Sequence, residues 1–184
     1  MPHSIRTVVA SALLLCGSAF AADSAGHWLD IPFIAQQKDG CGAAAIAMVM
    51  QYWQKSGHAP ENPAAEYPRI DRALVSKQAH GVYASAMAHY FDENGYRAFA
   101  FSGQMSDVKQ HIDQGRPLIA ALQPGAKQPL HYVVIAGYDP DAHILLLNDP
   151  AQRKLLKEDA AQFEKEWKAT QHWTLLAVPG SSSH

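Results

Sequence analysis

Cys41 lies between two glycines, five residues after Gln36, and the strongest apolar run in the second half of the chain starts on His131 and is followed after one turn by Asp149. A thiol attacks a carbonyl as its thiolate, a base must take and return a proton, and a carboxylate or amide must orient that base. Residues of these types in this order point to nucleophilic chemistry at an amide carbonyl. The other cysteine is Cys16, inside an apolar N-terminal run. Two sulfurs are too few for a disulfide framework or a zinc ribbon, so whatever Cys41 does it does singly.

These residues need a scaffold, and the sequence supplies one. Ala45, Met48, Val49, Tyr52 and Trp53 recur at helical spacing, which predicts a helix from about Cys41 to Lys55, stopped by Gly57. Cys41 then stands in its first turn, where unpaired N–H groups and the positive end of the helix dipole favour an anion. Ile31 to Ile34 reads as an extended lead-in, followed by a polar loop from Gln36 to Gly40. From that loop the Gln36 amide can turn back over the helix start and, with the Cys41 N–H, donate to the oxyanion of a tetrahedral intermediate; Gln37 competes for this role. Gly40 and Gly42 allow backbone and substrate a close approach.

His131 to Tyr138 and Ile144 to Asn148 read as two strands of a hairpin. A three-residue turn, Asp139-Pro140-Asp141, sets Tyr138 against Ala142 and His131 against Asp149, with Cβ atoms ~5 Å apart on one face. A two-residue turn sets Asn148 there instead, and asparagine also serves as an orienting partner in some cysteine peptidases. The first register is preferred and both stay open.

Further helices are expected over Ile70 to Lys77, around Tyr83, Met87, Tyr90 and Phe91 up to Gly95, from a Ser106 cap to Gln114, and from Lys157 to Lys168. Tyr96 to Phe101, Pro117 to Leu122 and Trp173 to Val178 complete the strands. Helices come first and an antiparallel sheet second, an α+β layout.

With 184 residues and 48% hydrophobic content the chain can build one ordinary core. A net charge of -2 leaves no cationic surplus for phosphates, which argues against nucleic acid as a partner. Residues 1–21 read as a secretory signal: Arg6, an apolar run from Val8 to Cys16, then Ala19-Phe20-Ala21. The run is about half the ~20 residues of a membrane span, so the membrane is met only through the cleaved signal. Removing 21 of the 184 residues leaves a 163-residue domain, 22–184, with Cys41 as its one cysteine and a periplasmic or secreted destination. Acylation at Cys16 is the alternative, disfavoured by Leu15 before it.

The segment Pro32-Phe33-Ile34-Ala35-Gln36 with Cys41-Gly42-Ala43-Ala44-Ala45-Ile46-Ala47-Met48-Val49 resembles the active-site segment of papain-like bacteriocin-processing (double-glycine leader) peptidases. His131-Tyr132-Val133-Val134-Ile135-Ala136-Gly137-Tyr138-Asp139 is similar to the family's histidine strand, and Asn148-Asp149-Pro150-Ala151 to its aspartate segment. The likeness covers about Ile31 to Ala177. Ala43 stands where many members carry proline, and the glutamine offset is nearer that of stand-alone exported relatives.

The resemblance implies a papain-like α+β fold, in which a helical part bearing the Cys helix packs on an antiparallel sheet bearing His and Asp. It implies Cys41 as nucleophile, His131 as base and acid, Asp149 as orienter and Gln36 as oxyanion donor. It also implies a peptide or protein substrate with small residues before the cut. No cofactor or metal is expected, since His58, His80, His89 and His111 are scattered, and a monomer is expected. Two other readings remain: a non-catalytic peptide- or protein-binding module, and a cell-envelope amidase or acyltransferase using the same triad. Trp28, Trp53, Tyr83 and Tyr132 could line a groove, although aromatics at such spacings more often fill a core.

Overall fold

The computed structural model describes residues 26–126 and 128–180, so the signal segment, Cys16 and the final residues lie outside the described part. In chain order come β1 (His27–Trp28), α1 (Cys41–Lys55), a 3-10 turn (Pro63–Ala65), α2 (Tyr67–Leu74), α3 (Ala84–Glu93), β2 (Tyr96–Ser102) and α4 (Met105–Asp113). They are followed by β3 (Leu118–Leu122), β4 (His131–Asp139), β5 (Ile144–Asn148), β6 (Leu156–Asp159), α5 (Ala160–Lys168) and β7 (Trp173–Pro179).

All strands join one antiparallel sheet in the order β2-β7-β3-β4-β5-β6, and β1 pairs with the far end of β4, beyond the reach of β3. Helices α1 to α3 come ahead of all strands but β1, while α4 and α5 fall between later strands, giving an α+β fold with α1 packed on β4. Every residue of α1 from Cys41 to Met50 is buried, as is Trp53. The run Ala43-Ala44-Ala45-Ile46-Ala47 is fully covered. Alanine in four of those five places lets the helix axis come close to the sheet, and a helix apolar on every side belongs in a core. Its far end is tied down by Trp53 Nε1 donating to the Ala177 carbonyl at 2.9 Å and Tyr52 Oη donating to the Gly115 carbonyl at 2.8 Å.

Close approach is also enforced at the start of α1. A Cβ added at Gly42 would stand 2.8 Å from Val82 Cβ and 3.3 Å from a ring carbon of Tyr132. Only glycine lets the first turn press against the residue that follows His131, and that contact carries Cys41 to the head of β4.

Several expected boundaries shift. The second helix starts three residues earlier than expected, because Pro68 is tolerated in a first turn, where no N–H bond is lost. Ser106 lies inside α4; Gln104 caps it, and Asp107 reciprocates by accepting from the Gln104 amide at 2.8 Å. The expected helix over Lys157 to Lys168 divides into β6 and α5, and Asp159 makes the break by accepting from the amides of Ala161 and Gln162, both at 3.0 Å. His27 and Trp28 add an unexpected short strand, and the lead-in from Ile31 to Ile34 stays outside the sheet. Trp53 and Tyr132 belong to the core, while Trp28 and Tyr83 are exposed.

Candidate active site

The β4–β5 hairpin does not follow either expected register. Asp139 pairs with Ile144 and Val134 with Asn148, the loop between the strands is 140–143, and a bulge falls between Ile135 and Gly137. Asp139 Oδ1 accepts from the amides of Asp141 at 3.1 Å and Ala142 at 3.0 Å, and His143 takes φ 53°, so the turn is longer than Asp-Pro alone suggests. Neither Asp149 nor Asn148 therefore stands across the ladder from His131.

Asp149 nevertheless meets His131, from the loop that follows β5. Its Oδ1 stands 2.7 Å from His131 Nε2. The same oxygen accepts from the Ala151 amide at 2.9 Å, while Oδ2 accepts from Gln152 Nε2 at 2.6 Å. These bonds fix a carboxylate that is 4% exposed. Although burial favours its neutral form, the bond and charge of His131 and the two other donors hold its pKa below the ordinary carboxylate value. Asn148 serves the scaffold instead. Fully buried, it donates to the carbonyls of Ile31 at 3.2 Å and Pro32 at 3.4 Å and accepts from the Leu155 amide at 3.0 Å. It seals the lead-in segment to the hairpin, and its amide is not the orienter of His131.

With Nε2 engaged by Asp149, Nδ1 is the ring nitrogen left for Cys41, which lies near enough to act on the protonation of the imidazole. Burial of the imidazole opposes protonation, but its bond to Asp149, the charge of that carboxylate and its interaction with Cys41 outweigh burial and raise its pKa to about 9. The ring is an imidazolium at neutral pH. Cys41 is 7% exposed and the His131 side chain 18%, so both interact in a largely dehydrated setting where charge acts strongly.

The sign of the resulting pH dependence is fixed. A histidine raised in the fold stabilises it fully below its unfolded value of ~6.5. That contribution disappears as pH rises through the folded value of about 9. Thermal unfolding followed across this window should show a Tm that declines from about pH 6.5 to 9, and His131→Ala should flatten the decline; an unchanged slope in the variant would contradict the assignment.

The helix start supplies the remaining elements. Gly40 precedes α1, no side chain caps its first amides and no acidic residue occupies its first turn, so these donors stay available to an anion. The loop before it is pinned at two points. The Gln36 backbone N–H donates to the Pro150 carbonyl at 2.9 Å, fastening the loop to the residue after Asp149. The Gln37 amide donates to Tyr67 Oη at 2.7 Å, and that hydroxyl donates onward to Asp71 Oδ1 at 3.0 Å. Gln36 Oε1 is buried without a hydrogen-bond partner. Tyr67 and Asp71 are absent from any sequence-based expectation; four residues apart on α2, they share a helix face, but their spacing says nothing about a loop thirty residues away.

Cys41, His131 and Asp149 are thus brought together in that order, and Gln36 is tied to the same loop pair. Among the described residues no group of three His, Cys, Asp or Glu side chains could hold a metal ion. Residues 28–174 match the family model described as the Peptidase_C39 like family. The chain belongs to that family of cysteine peptidases. Solved structures share the fold of this C39-like chain. A double glycine motif protease from an AMS/PCAT transporter, in complex with a leader peptide, is 21% identical with a TM-score of 0.62, over 83% of this chain and 94% of that one. The peptidase domain of Streptococcus ComA is 21% identical with a TM-score of 0.59, over 79% and 96%. A C39-like peptidase from Bacillus anthracis is 15% identical with a TM-score of 0.66, over 85% and 99%. No curated protein matches the chain by sequence.

Proposed function

We propose that this chain is an exported peptidase that hydrolyses peptide bonds through Cys41, His131 and Asp149, with Gln36 as oxyanion donor. The observation that carries the reading is His131 standing between the Cys41 thiol and the Asp149 carboxylate, which lies 2.7 Å from its Nε2. The Cys41 thiolate attacks the carbonyl carbon, and the electron pair of the C=O bond moves onto oxygen. The Cys41 N–H and the Gln36 amide receive that oxyanion. Gln36 Oε1 is buried without a partner, and a half-turn of the amide exchanges it for Nε2, the end that can donate to the oxyanion. The His131 imidazolium then gives its Nδ1 proton to the departing amine, leaving a thioester. Water attacks the thioester as His131 takes one of its protons, and release of the acid restores the thiolate–imidazolium pair. Asp149 keeps the ring oriented throughout and stabilises its positive form.

The substrate is a peptide or protein. The double glycine motif protease was solved with a leader peptide, and the likeness to such peptidases supports small residues before the cut. The enzyme acts as a monomer without cofactor. The test is cleavage of a peptide mixture by the purified protein, read by mass spectrometry: new fragments that disappear with Cys41→Ala support the reading, and no fragments, or the same fragments from both proteins, overturn it.

Export rests on the N-terminal sequence, from Arg6 through the apolar run to Ala21. Protein recovered from the cell envelope should begin at Ala22 by N-terminal sequencing; a mature chain that still begins at Met1 would contradict it.

A further inference from the structure

We propose that Tyr67, backed by Asp71, is the positioning residue that sets the oxyanion loop for catalysis. The inference rests on the peptidase reading and extends it to residues outside the Cys-His-Asp set. Gln36 follows an extended lead-in and precedes a tight turn, in which the Gly40 amide donates to the Gln37 carbonyl at 3.0 Å. One side of Gln36 is anchored by its own amide to Pro150. The other is anchored only through Gln37, whose amide donates to the Tyr67 hydroxyl at 2.7 Å. The Tyr67 hydroxyl has one proton, and it goes to Asp71 Oδ1 at 3.0 Å, so its lone pair faces the loop. Without the carboxylate the hydroxyl could rotate and leave the Gln37 amide unpaired.

The fit at Gly40 points the same way. A Cβ there would collide with the Tyr67 hydroxyl and stand 2.8 Å from Asp71 Oδ1, so the residue before the nucleophile has been drawn against this pair as closely as a backbone can approach. Burial and the Asp71 carboxylate push the phenol's pKa up, although the Gln37 amide favours its ionised form. Tyr67 is thus a neutral phenol that accepts from the loop and donates to Asp71 without touching the reacting atoms. A donor to an oxyanion works only if it is already aimed when the charge appears. Two fixed points, Pro150 on one side and Tyr67 on the other, hold Gln36 and the Cys41 amide in that state.

The experiment separates chemistry that forms an oxyanion from chemistry that does not. Tyr67→Phe keeps the buried ring and removes the hydroxyl; Asp71→Ala removes the backing and serves as a second variant should the first fold poorly. Peptide hydrolysis proceeds through an oxyanion, whereas alkylation of Cys41 by iodoacetamide is a direct displacement. We expect kcat for peptide hydrolysis to fall about 10- to 100-fold in Tyr67→Phe, somewhat less in Asp71→Ala, with KM and the alkylation rate within about twofold of wild type. A merely structural role would lower alkylation and kcat together, or leave both unchanged, and either result overturns the proposal. If the wild type hydrolyses no peptide, the peptidase reading falls and takes the clamp with it; if wild type and Tyr67→Phe hydrolyse equally, the clamp alone falls.

Discussion

Cys41→Ala should reduce peptide hydrolysis on the order of 10⁴-fold or more in kcat/KM, to whatever rate the binding and oxyanion groups alone sustain. The size of the effect follows from the role: without sulfur there is no thioester. Alanine is smaller than cysteine by one atom and a better helix former, so α1, whose first turn is already packed through Gly42 against Val82 and Tyr132, should remain in place. A near-native melting curve together with lost activity would locate the effect in chemistry. Cys41→Ser should be almost as inactive, because a hydroxyl does not ionise beside an imidazolium as a thiol does. Measurable turnover by the purified Cys41→Ala protein at more than a few per cent of wild type would remove Cys41 from the mechanism.

The second large effect belongs to His131. Its replacement by alanine removes the cation beside the sulfur, the proton for the leaving amine and the base for water, so kcat should fall roughly 10²- to 10⁴-fold with little change in KM. Asp149 would lose one of its partners but keep the Ala151 amide and the Gln152 side chain, which restrains the loss of stability. Steady-state kinetics on one cleaved peptide, with thermal melts of both proteins, check this. A variant that raises KM while leaving kcat intact would make His131 a binding residue.

Much of this site is legible in the sequence. The helix from Cys41 to Lys55 follows from apolar spacing alone, because its signal is local and its end is marked by Gly57, which takes φ 73°. Strands β4 and β5 are visible as continuous apolar runs, as expected for strands buried in the middle of a sheet. Their register is not, because a bulge and a side-chain-stabilised turn each add residues that periodicity cannot count. Asp149 meets His131 from a loop, so the neighbour inferred by ladder arithmetic is reached by another route. β6 reads as helix because Leu156 to Asp159 is short and runs directly into the Asp159 cap. Tyr67 is invisible for a more general reason: its contact with Gln37 spans thirty residues and depends on how two packed helices place a loop, which no local pattern encodes.

The central claim is that Cys41 and His131 form an ion pair, and the pH profile of Cys41 alkylation tests it most directly. His131 holds its proton up to about pH 9, so the sulfur has a cation beside it throughout the neutral range. Across this range the native protein should react with iodoacetamide much faster than His131→Ala, and the two pH profiles should differ in shape. Two superimposable profiles, both rising only near ~8.5, would contradict the account.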